Sequence, residues 1–258
     1  MKRITSVNNP QIRRVHALQH STRQRLKEKR MVVEGYRLVR ELLAASLPVE
    51  TLFATADAAA SSQYADILSN PGCDVVEVSE SAFKSMADTE TPQGILALCP
   101  IPEIPVRTEK PALYLVVDQV RDPGNLGTIL RTAWAAGVHA VYTCPGTIDH
   151  TNPKVVRAGM GAHFNVPIYK MTWESVSEKT RFTHRWAADA VSGQPYDEVD
   201  WTEDVTLIIG GEAEGFSSYM GQISNPIHIP MASNIESLNA AMACAIILFE
   251  AVKQRRLG

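Results

Sequence analysis

Residues 100–111 read Pro-Ile-Pro-Glu-Ile-Pro-Val-Arg-Thr-Glu-Lys-Pro, placing four of the chain's fifteen prolines within twelve positions. Proline fixes φ, removes a backbone donor and keeps such a stretch out of helix and sheet interiors. A chain interrupted there should fold as two units of about 100 and about 145 residues, each large enough to build its own core. The expected organisation is a first domain over 1–99, a linker over 100–111 and a second domain over 112–258.

On both sides of the linker, strand and helix signals alternate. Asn9 can cap a helix with Pro10 in its first position and Ile12, Val15 and Leu18 facing inward. Short strands are predicted at 31–33, 49–53, 75–78 and 95–98, with a helix over 36–45. After the linker, strands are predicted at 113–117, 140–143, 186–190, 206–209 and 227–229, and helices over 125–136, 153–160 and 237–255. Such alternation implies an α/β fold, a mostly parallel sheet covered on both faces.

Charge is distributed unevenly over this frame. Residues 1–40 hold eleven Lys or Arg against Glu28 and Glu34, a net +9, whereas the whole chain carries −3. The remainder is therefore at −12, and the split points to a polyanion-facing first domain on an acidic body. Arg13, Arg14, Arg23, Arg25, Lys27, Lys29 and Arg30 are its candidate contacts. Only one aromatic, Tyr36, lies among those forty residues, so phosphate contacts rather than base stacking should drive the grip.

The uninterrupted apolar run Ala240–Phe249 has ten residues, too few to cross a bilayer, which needs about 20. No apolar stretch follows the first charges, and Cys73, Cys99, Cys144 and Cys244 show no C-x-x-C spacing. The expectation is a cytoplasmic protein without membrane contact, disulfide framework or metal. His16 and His20 lie four apart, but Ala-Leu-Gln between them lacks the glutamate of H-E-x-x-H.

In a parallel sheet, ligands sit beyond the carboxyl ends of strands. Three such turns in the second half are unusual. Val117-Asp-Gln-Val-Arg-Asp-Pro-Gly-Asn-Leu-Gly-Thr-Ile-Leu-Arg131 runs from a buried strand into a helix that starts near Asn125. Spacing alone leaves open whether this is a capped turn with a solvent-facing arginine or a ligand site. Ile209-Gly-Gly-Glu-Ala-Glu-Gly215 pairs two glycines, which allow close backbone approach to a ligand, with Glu214 as an acceptor. It is neither a P-loop nor G-x-G-x-x-G, which argues against a nucleotide-dependent oxidoreductase. Ile229-Pro-Met-Ala-Ser-Asn-Ile-Glu-Ser-Leu-Asn239 leads into a long apolar helix for which Ser237 is a reasonable cap.

These motifs, in this order, resemble the SpoU (TrmH-like) branch of the SPOUT superfamily, RNA ribose 2′-O-methyltransferases that use S-adenosylmethionine. Arg157-Ala-Gly-Met-Gly-Ala-His-Phe-Asn-Val-Pro167 also looks familial, and Ile4-Thr-Ser…Asn9-Pro with Val33-Glu-Gly-Tyr-Arg-Leu-Val39 resembles that family's ribosomal-protein-like substrate domain. The resemblance covers nearly the whole chain. It implies a SPOUT-type parallel sheet with a deep trefoil knot, preceded by a smaller α/β RNA-binding domain, and a homodimer formed through the catalytic domain.

For the site, it implies that Gly210, Ile229, Met231 and Leu238 border the cofactor's adenosine. Arg131 corresponds to the catalytic arginine, and Asn125, Glu214, Ser237 and Asn239 to the polar residues that arrange the site. No metal is implied. Whether Arg131 deprotonates the ribose hydroxyl or clamps phosphate and orients it stays open, because a guanidinium normally remains charged. The expected substrate is structured RNA, with ribosomal RNA favoured over transfer RNA; a non-catalytic RNA-binding protein of the same fold is the alternative class.

Overall fold

The computed structural model describes residues 2–69, 72–190, 192–212, 215–232 and 235–257. They form two compact units, one of residues 1–102 with 151–164, the other of residues 103–150 with 165–258.

The first unit runs β1 (Lys2–Ile4), α1 (Pro10–His20), α2 (Thr22–Glu28), β2 (Arg30–Glu34), α3 (Tyr36–Ala44), β3 (Thr51–Thr55), α4 (Ala56–Ala60), α5 (Ala65–Leu68), β4 (Asp74–Val78), α6 (Glu80–Met86) and β5 (Ile95–Pro100). Its five strands are ordered β1-β4-β3-β5-β2, with β5 antiparallel to both neighbours and the other pairs parallel. Period-2 alternation covers the sheet on both faces. Leu52, Ala54, Ile95 and Ala97 pack into one cluster with Leu38 and Leu42, whereas Phe53, Leu96 and Leu98 pack into another with Ile12, Val15 and Leu18. Asn9 caps α1 by accepting the Gln11 N–H, as the Asn-Pro start predicts. Ser21 ends α1 and starts α2, its N–H reaching Ala17 O and its hydroxyl accepting from Gln24 N–H. The basic stretch after the predicted first helix is therefore a second helix.

The second unit contains β6 (Leu113–Asp118), α7 (Pro123–Ala135) and β7 (Ala140–Thr143). The chain then forms α8 (Pro153–Gly159), which belongs to the first unit, where Val156 and Phe164 join the core beside Leu38. It continues in the second unit with β8 (Ile168–Lys170), α9 (Trp173–Lys179), β9 (His184–Ala188), β10 (Gln194–Pro195), β11 (Val205–Gly210), α10 (Ser218–Gln222), β12 (Asn225–His228) and α11 (Ala240–Leu257). Seven strands in the order β10-β12-β9-β11-β6-β7-β8 pair in parallel throughout. Both β6 and β11 are near-continuous apolar runs, as strands covered on both faces should be.

From Glu103 onward the proline-rich stretch is fastened to the second unit. Tyr169 Oη donates to Ile104 O, and the His139 ring lies between Leu113 N–H (3.1 Å) and Glu109 O (3.0 Å). The final helix starts later than its Ser237 cap predicts. The described residues between His228 and Ala240 stay out of the helix, α11 begins at Ala240, and Asn239 is the residue whose side chain accepts the Ala241 and Met242 N–H groups.

Candidate active site

Strand order in the second sheet reverses between β6 and β11, where successive connections leave to opposite sides and a crevice opens beyond the carboxyl ends. A cavity of about 350 Å³ lies there, bounded by Ala188 at the end of β9, Ile209 and Gly210 of β11, residues from the 229–239 segment, and Ala243 and Ile247 of α11. The four residues implied for the cofactor, Gly210, Ile229, Met231 and Leu238, all line it, and so does Ser237. Every charged residue among the described lining is an acid: Asp189, Glu212 and Glu236. Such a pocket, negative in sign, favours a ligand with a cationic centre.

The paired glycines shape one wall through self-packing. Gly211 and Gly215 exchange N–H···O bonds of 2.9 Å in both directions, closing the turn between them. A Cβ on Gly211 would lie 2.3 Å from Gln119 O, and one on Gly210 would lie 2.3 Å from Gly215 C. The close approach these glycines permit is thus to the chain itself. Asp118, at the end of β6 and 0% exposed, accepts Ser217 N–H (2.7 Å) and Trp173 Nε1–H (2.9 Å), tying the same turn to the sheet. An acid ending an otherwise apolar strand was the sequence signal for it.

Next to the cavity, three side chains from three motifs meet. Asn125 sits in the first turn of α7, where Asp122 Oδ1 caps its N–H at 2.8 Å and Pro123 opens the helix. Its Nδ2 donates to Glu212 Oε1. Asn239 Nδ2 donates to Asn125 Oδ1 (3.0 Å) and to Glu212 Oε1 (3.2 Å), while its own Oδ1 caps α11. Glu214, the acid singled out in the sequence, lies outside the described residues; the acid joined to the two asparagines is Glu212. Nothing in the sequence singles out Glu212, two positions before Glu214; its bonds to Asn125 and Asn239 come from the fold.

Arg131 is exposed on α7, and its side chain makes no hydrogen bond or ion pair among the described residues. Six positions beyond Asn125, it is displaced about 120° around the helix and is not part of the polar cluster. His16 and His20 lie 4.5 Å apart on α1, and among the described residues no group of three His, Cys, Asp or Glu could hold a metal ion.

The basic segment divides on inspection of its partners. Arg13, Arg23, Lys27 and Lys29 are exposed and without ion pairs among the described residues. Arg14 meets Glu28 at 2.6 Å and Glu50 at 3.4 Å, and Arg30 also pairs with Glu50. Burial alone would raise the Glu28 pKa, but hydrogen bonds from Arg14 and Gln24 and the charges of Arg14 and Arg30 hold it below the usual value. Arg25 corrects the sequence expectation. It is 2% exposed and donates to Leu18 O (2.9 Å), Gln19 O (3.3 Å), Thr22 Oγ1 (2.9 Å) and Thr151 Oγ1 (3.0 Å), so its charge is spent inside the unit and unavailable to RNA.

Comparison with known proteins agrees with this geometry. Residues 112–249 match the SpoU rRNA Methylase family, and residues 9–97 match the MRM3-like substrate binding domain. The chain is 32% identical over 252 residues to the 23S rRNA (guanosine(2553)-2′-O)-methyltransferase RlmP of Bacillus subtilis, covering 96% of this chain and 98% of that protein. It is 31% identical over 294 residues to the mitochondrial rRNA methyltransferase 3 of Homo sapiens, covering 90% and 69%. The fold superposes on the AdoMet-bound rRNA methyltransferase of Sinorhizobium meliloti with a TM-score of 0.86, 29% identity and coverage of 98% and 97%. It superposes on the SpoU methyltransferase AviRb of Streptomyces viridochromogenes, in complex with AdoMet, with a TM-score of 0.88, 26% identity and coverage of 97% and 100%. With its acid-lined crevice, its Asn125–Glu212–Asn239 cluster and a match spanning both halves, the chain belongs to the SpoU rRNA methylase family.

Proposed function

We propose that the protein transfers a methyl group from S-adenosylmethionine to a ribose 2′-hydroxyl of ribosomal RNA. The observation that carries this reading is the crevice at the strand-order reversal, whose described charged residues are Asp189, Glu212 and Glu236. S-adenosylmethionine supplies an electrophilic methyl on a positively charged sulfur, and the residues present fit it. Ile229, Met231 and Leu238 give an apolar wall for an adenine, and the three acids offset the positive charge. The name of the B. subtilis relative supports a ribose 2′-hydroxyl as acceptor, and that of the human mitochondrial relative supports ribosomal RNA as substrate.

A ribose hydroxyl is a poor acid, so an acceptor for its proton within hydrogen-bond reach is needed. Glu212, fixed by the Asn125 and Asn239 amides, is positioned for that role and for orienting the hydroxyl. Exposed Arg131 holds an RNA phosphate, the role that keeps its guanidinium charged. The first unit grips structured RNA through Arg13, Arg23, Lys27 and Lys29. Met242, Ile246 and Phe249 are 53, 38 and 49% exposed along one stripe of α11, which supports a homodimer through the second unit. The trefoil knot belongs to the same reading. No helix among the described residues is long and apolar enough to cross a membrane, and the reading places the enzyme with its RNA in the cytoplasm.

The test is transfer of tritiated methyl to bulk RNA, with ribosomal and transfer fractions separated, alongside equilibrium titration with S-adenosylmethionine. Label resistant to alkali in ribosomal RNA supports the reading. Label confined to transfer RNA overturns the substrate class, and no label with no cofactor binding overturns the activity.

A further inference from the structure

A second cavity, of about 310 Å³, lies entirely within the first unit. We propose that it takes a single unpaired nucleotide of the RNA, so that this unit reads a splayed base as well as gripping phosphates. The proposal rests on the RNA reading above and adds a subsite to it. Three segments distant in sequence build the walls: the β2–α3 junction with Arg37 and Leu38, the stretch before β5 with Thr91 and Gln93, and the α8 segment with Arg157 and Met160.

These walls are held in place before any ligand arrives. Glu34, 6% exposed, accepts the Asp88 N–H at 2.8 Å, the Thr89 hydroxyl and the Gln19 amide at 3.3 Å, and so fastens the stretch before β5. Gln93 Oε1 accepts the Tyr36 N–H at 2.9 Å, joining that stretch to the start of α3. Asp88 holds the Arg157 guanidinium at 2.7 Å, and Arg157 Nη1 is buried with no acceptor among the described residues, so this guanidinium keeps a donor unspent.

The lining chemistry fits a nucleobase. Leu38 and the thioether of Met160 offer apolar surface for a ring face. Thr91 and the Gln93 amide nitrogen, which has no acceptor among the described residues, offer polar groups for a base edge. The volume is at the lower end of the range for small-ligand pockets, right for one nucleotide and too small for stacked ones. A paired base would have to break its pairing and stacking to enter, whereas bulges and loops present bases already free to do so. Glu34 is committed to its donors, so the uncommitted charge at the cavity is that of exposed Arg37, followed one turn later by exposed Arg40. That stripe suits the phosphates flanking an inserted base. Arg157 and Met160 come from residues 151–164, covalently continuous with β7 and β8 of the second unit, so this base-reading pocket is built from both halves of the sequence.

The experiment uses the full chain and two fluorescein-labelled RNA hairpins of equal stem, one with a one-nucleotide bulge and one fully paired. Affinities are read by anisotropy at fixed salt. The wild type is expected to prefer the bulged hairpin by about tenfold. Thr91→Trp, which fills the mouth from an exposed position, should abolish that preference with the paired affinity unchanged. Arg37→Ala should weaken bulged-RNA binding at least fivefold. Thermal midpoint and S-adenosylmethionine affinity should match the wild type in both variants. Equal affinity of the wild type for both hairpins, or a preference that survives Thr91→Trp, overturns the proposal. Either result could coexist with methyl transfer to ribosomal RNA, so its failure is distinct from failure of the proposed activity.

Discussion

Replacing Arg25 separates a structural role from an RNA-binding one. Arg25→Met keeps the aliphatic stem's packing and removes the guanidinium from at least four oxygens, two of them carbonyls near the end of α1. Each buried acceptor left unsatisfied costs about 1–3 kcal/mol, while relief of burying a charge returns part of this. Rotation of the two threonine hydroxyls returns more, leaving a destabilisation of about 2–4 kcal/mol. With an m-value of about 2 kcal/mol/M, the urea midpoint of the first unit should fall by roughly 1–2 M. The four tryptophans all lie in the second unit, so far-UV circular dichroism or amide exchange across α1 and α2 is the readout. In parallel, the slope of log affinity against log salt should match the wild type for Arg25→Met. Arg23→Ala, which removes an exposed cation, should reduce that slope by about 0.7–0.9. Unchanged stability with a reduced slope for Arg25→Met would show the guanidinium facing RNA and would refute the reasoning.

Three further outcomes are expected. Arg131→Ala should lower kcat by about 10²-fold or more, with S-adenosylmethionine affinity within about twofold; loss of cofactor affinity with turnover per bound enzyme preserved would sink its role. Asn239→Asp keeps a good α11 cap but sets a second carboxylate against Glu212, so the thermal midpoint should stay near wild type while turnover falls; Asn239→Ala should also cost about 1 kcal/mol of stability. Burial pushes the His139 imidazole below its ordinary pKa of 6.5, and its neutral ring accepts from Leu113 and donates to Glu109 O. The neutral form is favoured in the fold, so this stability is complete above the ordinary value and is lost as pH falls through the folded one. The second unit's thermal midpoint should therefore drop between about pH 7 and pH 5 by more in the wild type than in His139→Gln; equal drops would refute the assignment.

Legibility in the sequence followed the length and periodicity of each signal. The apolar runs that became β6 and β11 were located to within a residue or two, because strands covered on both faces are nearly continuous in Val, Ile and Leu. The strands β1, β8 and β10 are two or three residues long, too short to show a period. The helix α2 was hidden by its arginines, since a charge run gives no apolar stripe. Ser237 and Asn239 are both competent caps, and the choice of Asn239 depends on bonds its side chain makes to Asn125 and Glu212, residues 114 and 27 positions away.

By itself the sequence determined the alternation of strand and helix, the break near residue 100, the three turn motifs and the asymmetry of charge. These are local properties of composition and spacing. Only the tertiary structure decided which of the basic residues are paired or buried, that Glu212 joins the two asparagines, and that residues 151–164 complete the first unit. The physical reason is the same in each case. Burial and hydrogen-bond partnership are set by residues far apart in the chain, so Arg25 and Arg23, two positions apart, end with opposite fates.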